Sequence, residues 1–122
     1  ETVYRYFTKT AGQAHNLSAQ QIMAAMAKGS DPMARKTVQI TVRLLAQLCA
    51  DLALIHLPYG GIYLVGGVAR ALAPYLQRYE FAKAFYAMGR FTQTMERFEI
   101  ALVHDDYAAL TGCANALHGL RG

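Results

Sequence analysis

The stretch SDPMARKTVQITVRLLAQLCADLALIHLP, residues 30–58, constrains this chain more than any other. Asp31 is placed to cap a helix and Pro32 to fill its first turn, where the missing N–H costs nothing; Pro58 closes it. Val38, Val42, Leu45, Cys49 and Leu52 fall on one stripe at helical spacing, and Leu44, Leu48 and Ile55 widen that stripe beyond what a surface helix needs. A helix apolar over so much of its circumference must be packed on several sides. It is therefore expected at the centre of the fold, with Val38, Leu45 and Leu52 in the core.

The flanking segments supply what packs there. ETVYRYF opens within a helical pattern, with neither an initiator Met nor a capping residue before it, as a fragment would. SAQQIMAAMAKG predicts a helix from Ala19 to Lys28, with Ser18 as cap, Gln21 three residues on and Gly29 as the stop. GIYLVGG reads as a short strand covered on both faces, VARALAPYLQRYEFAKAFYAMG as two short helices broken near Pro74 and Arg78, and FEIALVH as a second strand of the same buried kind. The closing DYAALTGCANALHGLRG predicts a helix whose Ala108, Ala109, Gly112, Cys113 and Ala116 allow close approach of another element. The fold class is α/β, mostly helical with about two buried strands. Two strands are too few for an independent sheet, so part of the sheet is expected outside this chain.

Composition sets the limits of function. The 122 residues are 54% hydrophobic and only 16% charged, against about 25% in an average domain, which predicts a single unit, 1–122, with an apolar exterior. Such a surface favours self-association, and a homo-oligomer is expected. The net charge of +4 is spread over Arg5, Lys28, Arg35, Lys36, Arg43, Arg70, Arg78 and Lys83 without a dense run, which argues against nucleic acid as a partner. Cys49 and Cys113 sit among apolar or small residues far apart, as reduced core thiols of a cytosolic protein do. With no charged-then-apolar leader and no uninterrupted apolar stretch long enough to cross a bilayer, the expectation is a cytoplasmic protein without a membrane segment.

Catalytic constellations are scarce. His15, His56, His104 and His118 have no HxxxH or HExxH spacing and neither cysteine has a second nearby, so no metal site is expected. Asp105 and Asp106 follow a strand end, where open α/β sheets place functional groups, but a loop start or helix cap accounts for them equally. Asp51, between Leu48 and Ile55, reads as a buried carboxylate with local hydrogen bonds. Neither GxxxxGK[ST] nor GxGxxG occurs. What remains is GGIYLVGGVARALAPYL, residues 60–76, in which an apolar run ends at a second glycine pair and a helix begins. Either the pair makes a tight turn, or a nucleotide lies against backbone that a side chain would block.

GGIYLVGGVARAL, FYAMGRF, FEIALVHDD and AALTGCANAL, in that order and spacing, resemble the C-terminal part of the bacterial ATP-dependent glucokinases, and VYRYF and DLALI resemble helical segments of the same family. The resemblance covers essentially the whole chain. It implies a partial ribonuclease H-like, actin-like ATPase lobe, the C-terminal part of the larger lobe, with the N-terminal lobe absent. It implies ATP with Mg2+ and glucose as the partners of the parent enzyme, along with the N-terminal part of the same protein. Gly66 and Gly67, with Val68 after them, match the family's adenosine motif, while the role of Gly60 and Gly61 looks structural. Gly112 is retained in the last helix, and Ala114 occupies a second family glycine position. Two departures concern the adenine contacts: Val68-Ala69-Arg70-Ala71 follows the glycines where the family often has Pro-Arg, and Met88 replaces a common Lys before Gly89-Arg90-Phe91.

In that family the phosphate-binding turns, the general-base Asp and the Glu and His that hold glucose precede the segment that ETVYRYF resembles. No catalytic residue is therefore expected within these 122 residues, and the chain alone is expected to be inactive. The alternative is a non-catalytic, kinase-derived dimerisation or regulatory domain.

Overall fold

The computed structural model describes residues 1–13, 15–105 and 107–119. Its elements run α1 (Thr2–Thr10), α2 (Ala19–Lys28), α3 (Pro32–His56), β1 (Ile62–Leu64), α4 (Gly67–Leu76), α5 (Phe81–Tyr86), a 3-10 turn (Gly89–Phe91), α6 (Thr92–Met95), β2 (Ile100–Leu102) and α7 (Ala108–Gly119). Helix boundaries follow the local chemistry. At α2 the Ser18 hydroxyl accepts from the Gln21 N–H while the Gln21 side chain accepts from the Ser18 N–H, and Gly29 ends the helix in the left-handed conformation. At α3 one Asp31 oxygen accepts from the N–H groups of Met33 at 2.7 Å and Ala34 at 3.2 Å. That supplies two of the donors a helix start leaves without partners.

Helices α1, α2, α4, α5 and α6 all pack on α3. The buried stripe of α3 is a row at four-residue spacing, Ala34, Val38, Val42, Ala46 and Ala50, with Cys49 and Ala53 beside it. Small side chains in that row let the neighbouring helices approach closely, and the volume is filled from the other side by Phe85, Phe98 and Met95. The expected stripe is thus only half right. Val38, Val42 and Cys49 are buried and Leu45 is half-buried, but Leu44, Leu48, Leu52 and Ile55 are exposed, Ile55 at 70%. Asp51 lies on that outer side and is exposed, its carboxylate accepting from the Gln47 amide at 3.1 Å, rather than buried. By length and composition α3 is also apolar enough to cross a membrane, contrary to the expectation from the uninterrupted runs; here it is the helix around which the others pack.

The two strands form a parallel pair with Ile62 opposite Ile100, Tyr63 opposite Ala101 and Leu64 opposite Leu102. Among the described residues only one face is covered. Ile62, Leu64, Ile100 and Leu102 are half-buried toward the helices, whereas Tyr63 and Ala101 are exposed, so the expectation of strands buried on both faces is corrected. Pro74 lies inside α4 without ending it, and the break before α5 comes at Glu80, whose φ is +57°. No residue of α7 is buried, and Cys113 is exposed rather than a core thiol, while Cys49 is buried as expected.

Candidate functional site

Parallel pairing brings the C-terminal ends of β1 and β2 side by side, and the Val103 N–H donates to the Leu64 carbonyl at 2.9 Å to carry the pairing one step further. The chain leaves β1 through Val65, Gly66 and Gly67 and leaves β2 through Val103, His104 and Asp105. In open α/β sheets this edge, outside the carboxyl ends of the strands, is where ligands bind.

Gly66 has φ +100° and ψ 172°, a conformation open almost only to glycine, and it is the residue from which α4 starts. Its carbonyl accepts from the Arg70 N–H at 3.1 Å, closing the first turn. Glycine gives the helix no side-chain cap, and the first-turn N–H groups of a helix have no partner within the helix itself. Gly67 is different. Its backbone is ordinary for an L-residue, and a Cβ there would meet only the tip of the Arg70 guanidinium, at 4.0 Å. Nothing among the described residues requires glycine at that position, and the space a Cβ would fill is open. Val68 is 74% exposed on the next step of the helix, so the structure brings Gly66, Gly67 and Val68 together on one open turn.

Sequence reasoning missed Arg70 as part of this turn. The available signal was its place three residues after Gly67, one helical turn away, which sets its cationic end beside the glycine. Asp105 has a local role, its carboxylate accepting from the Tyr107 N–H at 2.8 Å just before α7. Asp106 lies outside the described residues. Among the described residues no three His, Cys, Asp or Glu side chains converge.

The perturbed ionisable groups lie elsewhere. Tyr4 is buried and donates to Asp31 Oδ2 at 2.7 Å; burial first, then the hydrogen bond to the carboxylate, pushes its phenol up to about 12. For Asp31 burial works to raise the carboxyl, but the hydrogen bonds from Tyr4, Met33 and Ala34 outweigh it and hold the group below the ordinary carboxylate value. Burial raises the Cys49 thiol. These groups sit in the helix packing and not at the strand ends.

The glucokinase family pattern matches residues 1–120. A glucokinase of Aromatoleum aromaticum is 32% identical over 101 residues, 83% of this chain and 30% of that protein. A glucokinase of Trichormus variabilis is 30% identical over 114 residues, 92% of this chain and 33% of that protein. The crystal structure of a glucokinase from an Antarctic psychrotroph superimposes with a TM-score of 0.86 at 26% identity, covering 96% of this chain and 37% of the other. The chain spans about a third of the length of the curated relatives it matches. A match over almost every residue, with a fold that superimposes on a solved member, places the chain in the glucokinase family.

Proposed function

We propose that this chain is the C-terminal part of the larger lobe of an ATP-dependent glucokinase, an actin-like enzyme of ribonuclease H-like fold, and that it supplies the seat for the adenosine of Mg-ATP. The observation that carries the reading is the turn at the strand ends. Gly66 needs glycine for its φ, but Gly67 does not, and a side chain there would fill open space beside first-turn N–H groups. A flat nucleoside approaching the backbone accounts for a glycine that the packing of the described residues leaves unexplained. Gly66, Gly67 and the exposed Val68 are the contacting residues in this reading.

The whole enzyme transfers the γ-phosphoryl group of ATP to the 6-hydroxyl of glucose in the cytoplasm. Positioning the nucleotide is this segment's share of that reaction, and the base and sugar ligands come from the remainder of the polypeptide. The enzyme is a homo-oligomer, with the exposed small-residue face of α7, including Ala109, Gly112 and Ala116, as the contact.

The test is a chimera in which this chain replaces the matching segment of the Aromatoleum aromaticum glucokinase. Glucose phosphorylation with Mg-ATP is expected. A folded chimera that binds glucose but neither binds ATP nor turns over would overturn the assignment and favour a non-catalytic, kinase-derived interaction domain.

A further inference from the structure

We propose that Arg70 reads the base of the nucleotide, laying its guanidinium against a purine that sits on the Gly67 backbone. The proposal rests on the reading of the Gly66-Gly67 turn as the adenosine seat. Arg70 follows Gly67 by three residues on α4, and helical side chains lean back toward the helix start, so its planar end comes to 4.0 Å from where a Gly67 Cβ would stand. The backbone that carries it is fixed, the Arg70 N–H donating to the Gly66 carbonyl at 3.1 Å, and the residue is half-buried. A flat ring that fills the open space over Gly67 therefore meets the guanidinium at van der Waals distance.

The make-up of the turn distinguishes a base from a phosphate as the partner of Arg70. Apart from the two glycines, the stretch from residue 65 to residue 71 carries Val65, Val68, Ala69, Arg70 and Ala71, with no hydroxyl and no lysine, and both valines are exposed. Phosphate sites draw on several strong donors at once. An apolar edge with one planar cation suits an aromatic ring instead, because a guanidinium stacks on a ring face and gives up its water more readily than an ammonium does. A purine offers two fused rings to that stack and a pyrimidine only one, so Arg70 favours purine nucleotides. Arg70 also falls among the four residues, 68–71, in which this chain departs from the Pro-Arg usual in the family, which makes the contact a property of this chain.

The test compares Arg70→Ala and Arg70→Lys with the parent residue in the Aromatoleum chimera, reading the dissociation constants of ADP and CDP by displacement of a fluorescent ADP. Arg70→Ala is expected to weaken ADP about threefold to thirtyfold and CDP much less, with the melting temperature and the KM for glucose unchanged. Arg70→Lys is expected to recover little of the ADP affinity, since it keeps the charge but not the flat face. Unchanged ADP binding in Arg70→Ala overturns the proposal. Equal losses for ADP and CDP overturn it too, and recovery of both in Arg70→Lys then assigns the contact to the phosphates. A loss that comes with a lower melting temperature and a raised KM for glucose overturns it in favour of a packing role. Should Arg70→Ala not fold, Arg70→Lys decides on the same two constants: a loss confined to ADP supports the proposal, and parental values overturn it. Should the chimera itself not fold, Val68-Ala69-Arg70-Ala71 replaces the four aligned residues of the intact Aromatoleum aromaticum glucokinase, and the same variants are read there. Gly67→Val keeps the two readings apart. If it weakens ADP while Arg70→Ala does not, the proposal for Arg70 fails alone; if neither weakens ADP, the adenosine seat itself is misplaced.

Discussion

The hydroxyl of Tyr4 donates a 2.7 Å hydrogen bond to the carboxylate of Asp31, 27 residues further on, joining α1 to the start of α3. The same carboxylate caps α3 through the Met33 and Ala34 N–H groups. Tyr4→Phe removes one charge-assisted bond from a buried site and should cost about 1.5–3 kcal/mol. Asp31→Ala loses the cap as well and should cost more. The two groups share a partner, so the double variant should fall short of the sum of the singles. Urea midpoints of the four proteins measure this, and additive losses would show that the pair is uncoupled.

Stability should also depend on pH through this pair. The fold favours ionised Asp31, whose carboxyl is held below its unfolded value of about 3.9, so this contribution is present above that value and drains as pH falls through the folded one. It favours neutral Tyr4, whose phenol rises from 10.0 to about 12, so this contribution is whole below pH 10 and is lost as pH climbs toward 12. Melting temperature should fall at both ends. Tyr4→Phe should flatten the alkaline fall, and an alkaline limb unchanged in that variant would assign it to other groups.

Local signals in the sequence were reliable where a few adjacent residues decide the structure. The Ser18–Gln21 box, the Gly29 stop and the Asp31-Pro32 start all stand where the sequence places them, because capping depends on groups within four residues of one another. The inward face of α3 was not legible in the same way. Large residues mark a helix as apolar, but with apolar residues all round only the partners decide which side is covered, and here the closely packed side is the alanine row. The clue available was spacing rather than size, since residues 34, 38, 42, 46 and 50 form one unbroken row without a charge. At the strand ends the glycine pair was legible, but not the division of labour within it. Only the backbone separates Gly66, whose φ demands glycine, from Gly67, whose φ does not.

That division is testable in the isolated chain. Gly66→Ala forces a side chain into a region that L-residues avoid and should destabilise by about 1–3 kcal/mol although a Cβ there meets nothing within 4 Å. Gly67→Ala should be nearly neutral. Equal losses in thermal unfolding would mean that crowding, not backbone conformation, governs the turn.

The isolated chain should not phosphorylate glucose. Phosphoryl transfer needs a group to position the attacking hydroxyl and cations on the phosphates. Among the described residues, the strand ends offer Asp105, engaged with the Tyr107 N–H, and Arg70 beside the glycine turn. A coupled assay with glucose and Mg-ATP should stay at the buffer rate. Saturable turnover by the purified chain would place a complete active site within it.

Gly67→Val in the Aromatoleum chimera addresses the nucleotide directly. From the sequence this substitution threatens both the backbone and the ligand, which would confuse any loss of activity. The structure separates the two. Gly67 has no left-handed φ to forbid a branched residue, and the nearest atom to a new Cβ is the flexible end of Arg70 at 4.0 Å, so the fold loses little. A nucleoside lying against that backbone cannot move aside so easily. The KM for ATP should rise about tenfold or more, equivalent to roughly 1.4 kcal/mol where KM reports binding, while the KM for glucose and the melting temperature change far less. A turn with no ligand role predicts an unchanged KM for ATP, with any defect confined to stability. Gly66→Ala is the internal control, because it should lower the melting temperature whether or not a nucleotide binds. If Gly67→Val leaves the KM for ATP where it was, the adenosine seat lies elsewhere and this glycine pair is only the hinge between β1 and α4.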